Sequence, residues 1–197
     1  MNNSLLVLDL SIICKDVLAV KLDEKTWKLY AEAYENNEIG LYDFIIDLAK
    51  THKGKTFEEM KKLANEIKPV SGAYKFVEEV KKKGYDIAII TKDYSLLADR
   101  FKRILETQYA FGSIPFFYDG KHAGEMEYVM DEKGILNAID SIKNHYNKII
   151  TIADDRAYKV LDKISEIIVY NGKDDIIKNT SYKHVDSSNI LDLLKYL

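Results

Sequence analysis

Four short runs of Val, Ile and Leu stand out from an otherwise mixed chain: LLVLDL over residues 5–10, YDIAIIT over 85–91, IITIA over 149–153 and EIIVY over 166–170. Runs of this length without polar alternation predict strands buried on both faces, as in a parallel sheet. Between them the apolar period lengthens to that of a helix. Ala73, Phe76, Val77 and Val80 fall at i, i+3, i+4 and i+7, after Ser71 as a candidate N-cap and before Gly84 as a stop. Ile135, Ile139, Ile142 and Tyr146 form another stripe, and Ile190, Leu193, Leu194 and Leu197 a last one. Strands alternating with helices predict an α/β fold with a Rossmann-like, right-handed, doubly wound parallel sheet.

One stretch breaks the rhythm. Some seventy residues separate the first strand from the second, far more than one crossover helix needs. They hold three amphipathic stripes: Trp27, Tyr30, Ala31 and Tyr34; Leu41, Phe44, Ile45 and Leu48; Phe57, Met60, Leu63, Ala64 and Ile67. Thr56 and Glu59 have the spacing of a capping box before the third stripe. This pattern predicts an all-helical cap at residues 15–69, inserted after the first strand into a core made of residues 1–14 and 70–197. Farther on, Asp119-Gly120 within IPFFYDGKHAGEME suits the turn of a hairpin.

Composition narrows the function classes. The 197 residues are 47% hydrophobic and 31% charged, with a net charge of −3 and both signs mixed along the chain. Such a balance lacks the basic face that a nucleic-acid partner would favour. The single cysteine, Cys14, cannot form an intramolecular disulfide, and no Cys/His cluster has zinc-ligand spacing. No apolar stretch reaches 18 residues, and Asp9 interrupts the first apolar run with no basic region before it. The expectation is a cytoplasmic chain without signal peptide or membrane span. The two Asn-x-Ser matches, at Asn2 and Asn179, are then coincidental. The sequence leaves the oligomeric state open.

In open parallel sheets, ligands bind beyond the carboxyl ends of the strands. The residues that end the apolar runs are Asp9, Thr91, and the pair Asp154 and Asp155, while Lys133 opens the helix before the third run. A carboxylate, a hydroxyl, an ammonium group and further carboxylates on one edge suit phosphoryl chemistry. A carboxylate can be the nucleophile, two can hold a hard cation, and Thr and Lys can neutralise phosphoryl oxygens.

This order of parts resembles the haloacid dehalogenase superfamily, in its phosphoserine-phosphatase-like branch. The first motif stands as LLVLDLSII, the second as IAIIT after PVSGAYKFVEEVKKKGYD, the third as the Lys of DEKGIL, and the fourth as Ala153-Asp154-Asp155-Arg156-Ala157-Tyr158. The resemblance implies Asp9 as nucleophile, with Thr91 and Lys133 binding the phosphoryl group. It also implies Mg²⁺ held by Asp9, the main chain of Ser11 and Asp154, and a small phosphorylated molecule as substrate.

Three departures bear on activity. The second Asp of the first motif, which exchanges protons with leaving group and water in the family, is Ser11; a Ser hydroxyl cannot do this near neutral pH. The fourth motif has Ala153 for Gly and Tyr158 for its second Asp, and Asp155 is offset from that place. At the offset of the family's serine-gripping Glu stands Leu18, with Asp16 nearby, and none of the three arginines, Arg100, Arg103 and Arg156, lies in the expected cap. A substrate carboxylate would call for Arg. The leading expectation is a slow Mg²⁺-dependent phosphatase. The alternatives are a catalytically silent homologue that binds a phosphorylated ligand or a protein partner, and a dehalogenase or phosphonate hydrolase. Cys14 reads as a small buried hydrophobe, Trp27 as packing, and the four histidines, His52, His122, His145 and His184, carry no assigned role.

Overall fold

The computed structural model describes residues 3–172 and 180–197, so Asn2 and Asn179 lie outside the described residues. The apolar runs become strands: β1 (Ser4–Asp9), β2 (Tyr85–Tyr94), β5 (Lys148–Ala153) and β6 (Glu166–Tyr170). Their inner residues, among them Leu5, Leu6, Ile87, Ile89, Ile150 and Ile152, are shut off from solvent on both faces. Three further strands were not anticipated as a set. Strands β3 (Tyr109–Tyr118) and β4 (Lys121–Tyr128) form the hairpin turned at Asp119-Gly120, and β7 (Lys183–Val185) closes the far edge. The seven described strands run in the order β4-β3-β2-β1-β5-β6-β7, and every pairing is parallel except β3 with β4. This is an α/β, Rossmann-like sheet, with β1 at its centre between β2 and β5.

The segment between β1 and β2 is helical. A single turn, α1 (Leu10–Ile13), leads into α2 (Leu18–Glu35), α3 (Leu41–Thr51) and α4 (Phe57–Glu66). Helix α2 breaks at Asp23, whose side chain accepts the Thr26 N–H at 3.1 Å, so the Trp27–Tyr34 stripe belongs to its second half. The capping box of Thr56 and Glu59 is formed at α4. Chain entry and exit are joined, because Val70 donates its N–H to the Ile13 carbonyl at 2.9 Å beside a Cys14–Pro69 bridge. No helix among the described residues is long and apolar enough to cross a membrane.

Helices α5 (Ala73–Lys82), α6 (Ser95–Leu105) and α7 (Glu132–Asp140) complete the layers. The N-cap of α5 is Gly72 at φ +85°, not Ser71, since the chain enters this helix through the left-handed region. The stripe expected to run from Ile135 to Tyr146 covers α7 and then a 3-10 turn, and the C-terminal stripe is 3-10 over Ile190–Tyr196. Both stripes still bury their apolar faces. At Gly112 in β3 an added Cβ would lie 2.8 Å from the Ser95 Cα and 3.0 Å from Thr91 Cγ2, so only glycine lets β3 pass this close to the end of β2.

The inserted helices meet the hairpin at a buried polar contact. His52, at the end of α3, shares a 2.7 Å hydrogen bond through Nδ1 with the Tyr94 hydroxyl, and His122 of β4 stands edge-on to the Tyr94 ring. Main-chain bonds run both ways between His122 and the loop before α4: Gly54 N–H to His122 O, and His122 N–H to Lys55 O, each 2.8 Å. Burial, with His122 beside it, pushes the His52 pKa down to about 4, and burial lowers His122 as well.

A histidine depressed in the folded state binds fewer protons there than when unfolded, so stability is lost as pH falls from about 6.5 through 4. For His52 the loss between pH 7 and pH 5 is about 2 kcal/mol at 1.36 kcal/mol per pH unit. Urea unfolding at the two pH values should show wild type losing that much more than His52→Gln; equal losses would mean that His52 titrates normally.

Candidate active site

Strand β1 ends where its last residue turns into a cap. Asp9 keeps extended backbone angles and its Oδ1 accepts the Ser11 N–H at 3.0 Å, which starts the α1 turn. The side chain is thereby aimed off the carboxyl end of the central strand, and it is buried, with Oδ2 lacking any hydrogen-bond partner. From the neighbouring strand end, Asp154 accepts the Ser11 hydroxyl on Oδ1 at 3.1 Å. Thr91, buried on β2, accepts the Asp93 N–H on its hydroxyl at 3.1 Å and lines the same cavity as Asp9, Ser11 and Asp154. The structure therefore brings four of the five anticipated residues together.

Lys133 is the exception and corrects the expectation. It lies on the exposed side of the first turn of α7, where Asp131 caps Gly134 N–H at 2.8 Å, and it does not line the cavity. The ammonium of the cluster comes from Lys92, one residue past Thr91. Its Nζ lies 2.9 Å from Asp155 Oδ2 and 5.8 Å from the centre of the Tyr158 ring. The apolar run stops at Thr91, but β2 itself continues to Tyr94 and carries Lys92 into the site. Sequence patterning missed Lys92 for that reason; its adjacency to the motif Thr was the available signal.

Asp155 faces inward, held by Lys92, by the Ala157 N–H at 2.7 Å and by the Tyr34 hydroxyl at 3.1 Å. Burial works against its charge, but Lys92 and these donors outweigh it and hold the carboxyl below the usual range. For Lys92, burial works against the ammonium, and Asp155, Asp9 and Asp154 together outweigh it, so its pKa is raised and it stays charged. Burial pushes Asp9 up to about 7, with Lys92 pulling down and Asp154 pushing up. Tyr158 fills the place of the second fourth-motif carboxylate. Burial and then Asp9 raise its pKa well above the ordinary tyrosine value. Its hydroxyl is buried without a hydrogen-bond partner, as is Asp9 Oδ2.

The inserted helices close on this edge through two contacts. Asp93 accepts the N–H groups of Leu18 and Ala19 at the start of α2, and Tyr34 reaches Asp155 from the end of α2. The Arg156 guanidinium lies 4.1 Å from the Tyr34 ring centre. Cys14 is buried, its thiol donating to main-chain carbonyls, and burial raises its pKa, so it is an inert packing residue here.

With this geometry in place, the class is clear from comparison. A model of the haloacid dehalogenase-like hydrolase family matches residues 13–157, most of the chain, and the protein belongs to that family. Within it the chain falls in the phosphoserine-phosphatase-like branch. It is 22% identical over 166 residues to a phosphoserine phosphatase of Archaeoglobus fulgidus, covering 81% of this chain and 48% of the relative. It is 28% identical over 109 residues to that of Methanocaldococcus jannaschii, covering 54% and 50%. The chain thus spans about half the length of the curated relatives it matches. Among solved structures, a phospho-aspartyl intermediate analogue of phosphoserine phosphatase superposes over the whole of both chains at a TM-score of 0.87 and 20% identity. A substrate-bound phosphoserine phosphatase does so at 0.87 and 19%, over 100% and 99%. At these identities the likeness shows the fold.

Removing Lys92 leaves Asp155 without its ion-pair partner beside two other carboxylates. Breaking a fully buried pair costs about 3–5 kcal/mol, and the cavity's access to solvent reduces this to about 1–3. Lys92→Met should lower the Tm by about 2–4 °C for each kcal/mol lost, whereas Lys133→Met should stay within about 1 °C of wild type. Equal shifts in thermal unfolding would contradict this placement.

Proposed function

We propose that the protein hydrolyses a phosphate monoester through an aspartyl-phosphate formed on Asp9. The observation that carries this reading is the division of labour on that one carboxylate: Oδ1 is fixed by the Ser11 N–H, and Oδ2 is buried and unpartnered on a residue that lines the cavity. A desolvated, oriented carboxylate oxygen with no donor to quench it is suited to in-line attack on phosphorus. The P–O bond to the ester oxygen then breaks, the leaving alkoxide takes a proton from solvent water to become the alcohol, and a second water cleaves the acyl phosphate to regenerate Asp9 and release phosphate.

The residues also fit the Mg²⁺ expected of the family. The donors are all oxygen, as hard cations require, and Asp154, hydrogen-bonded by the Ser11 hydroxyl at 3.1 Å, follows the end of the strand paired with the one that ends at Asp9. Asp9, Asp154 and the main chain of Ser11 would hold it, and when bound it supplies charge neutralisation at the phosphoryl oxygens. The chain's own contribution is distinct from that. Lys92 and the Thr91 hydroxyl bind phosphoryl oxygens from β2, and the Ser11 hydroxyl keeps Asp154 oriented through their 3.1 Å bond. Asp155 holds Lys92 in position.

Proton transfer is where the site is weak. Ser11 cannot serve as acid or base, Tyr158 titrates far too high, and Asp155 is kept ionised by its donors. This favours slow turnover. The same Ser11, together with the Lys92–Asp155 pair, supports a second reading in which a phosphorylated ligand is bound without being cleaved.

Phosphate release from a panel of monoesters, with and without Mg²⁺ and with Asp9→Asn as blank, tests the first reading. The expected result is slow, Mg²⁺-stimulated turnover that Asp9→Asn abolishes; absence of turnover together with protection by phosphate against unfolding would favour binding alone. Ser11→Asp gives a sharper measurement. The new carboxyl would stand beside Asp154, whose negative charge raises its pKa and keeps it in the acid form. A positioned acid–base contributes about 10²–10⁴-fold, and with Tyr158 unrepaired at least about tenfold should appear in kcat on an alkyl phosphate. No gain in a folded Ser11→Asp protein would show that the missing acid is not the limiting fault.

A further inference from the structure

The cavity in front of Asp9 is chemically two-ended. It measures about 830 Å³, within the size range of sites for drug-sized ligands, and a phosphorylated three-carbon amino acid would leave most of it empty. One end holds Asp9, Thr91, Lys92 and Asp154. An apolar stretch of the wall comes from the inserted helices and the hairpin: Trp27 of α2, Leu41, Phe44, Ile45 and Leu48 of α3, and Met126 of β4, while Ser71, Asn171, Ser187 and Ser188 line another part. Tyr34 joins the two ends, with its hydroxyl on Asp155 and its ring stacked 5.7 Å from that of Phe44.

The apolar stretch of that wall does not suit a zwitterion. Inserting an ammonium and a carboxylate between Trp27, Phe44 and Leu48 would desolvate both without partners, which is strongly unfavourable. The ionisable side chains that the inserted segment gives to the cavity are Lys15, Asp16 and Glu35. Lys15 and Glu35 are solvent-exposed, and Asp16 pairs with Lys21 at 3.2 Å. None of the three arginines lines the cavity: Arg100 donates to the carbonyls of Ile67 and Asn65, Arg156 to that of Tyr34, and Arg103 is exposed on α6.

Resting on the phosphatase reading above, we infer that the substrate is the phosphate monoester of an apolar alcohol, with its hydrocarbon body on the Trp27–Leu48 wall and its phosphate at Asp9. Each methylene transferred to such a wall is worth roughly a fourfold gain in affinity when fully buried. Selectivity should therefore grow with chain length, and it should appear in KM more than in kcat, because the wall touches the body of the substrate and not the reacting bond.

The test is a series of n-alkyl phosphates, ethyl, butyl and octyl, assayed with Mg²⁺ below the micelle concentration, with O-phosphoserine in parallel. The leaving alcohols have similar pKa values, so chemistry alone leaves the series flat. The expected result is a rise in kcat/KM of at least about 30-fold from ethyl to octyl, carried by KM, with O-phosphoserine below all three. Trp27 is only half-buried, so Trp27→Ala spares the core and should shrink the octyl-to-ethyl ratio several-fold. A flat or falling series, or a preference for O-phosphoserine, overturns the inference and leaves the phosphatase reading standing. If no ester is turned over, the phosphatase reading fails, and calorimetry of ethyl- and octylphosphonate on the intact protein decides this one. Tighter octylphosphonate binding, weakened in Trp27→Ala, supports it; equal binding refutes it.

Discussion

Three carboxylates gathered at one end of a parallel sheet cannot remain ionised together without a cation among them. Asp9, Asp154 and Asp155 come from the ends of the two central strands, and the folded chain brings Lys92 to them from a third. Its ammonium sits within hydrogen-bonding distance of Asp155 and is stabilised by all three charges, which is why it stays protonated although burial opposes it. The ion pair in turn keeps Asp155 charged, so that Asp155 can accept from Ala157 and Tyr34. The arrangement of the site follows from this one electrostatic constraint.

The placement of the inserted helices depends on the same edge. Asp93, two residues past Thr91 on β2, receives the first N–H groups of α2. Those donors would otherwise be orphaned at a helix start. The other end of α2 is fixed by Tyr34 on Asp155, and α3 by His52 on Tyr94. A short stretch of β2, from Thr91 to Tyr94, thus provides a cavity-lining hydroxyl, the ammonium paired with Asp155 and two anchors for the helices above it. Gly112 is the counterpart of this crowding, since β3 passes so near Thr91 and Ser95 that no side chain fits between them.

Much of this was legible in the chain. The strand cores of β1, β2, β5 and β6, the three inserted amphipathic helices and the Asp119-Gly120 turn all follow from short-range periodicity, which a sequence states directly. Asp9 was legible for a different reason: a carboxylate inside an apolar run is too costly to be incidental. The failures have a common physical origin. Lys92 was passed over because an apolar run is read as ending at its first charge, whereas hydrogen bonding extends β2 to Tyr94 regardless of side-chain polarity. Lys133 satisfied a pattern of spacing, but spacing along a helix does not say which way the first turn faces, and here that turn leaves it in solvent. The 3-10 geometry of the C-terminal stripe was hidden as well, because i+3 contacts serve either helix type.

These departures from the family pattern are coupled. Replacing one first-motif carboxylate by Ser11 and one fourth-motif carboxylate by Tyr158 removes two negative charges from the site, while Asp155 returns one in a new position. Tyr158 then fills the vacated carboxylate volume with an aromatic face, against which the Lys92 ammonium rests. The same exchange of charge for apolar surface continues outward along Tyr34 and Phe44 to the wall of α3. The Lys92–Asp155 pair and the apolar stretch share one cavity, and that adjacency is what the proposal of a phosphate ester with an apolar body rests on.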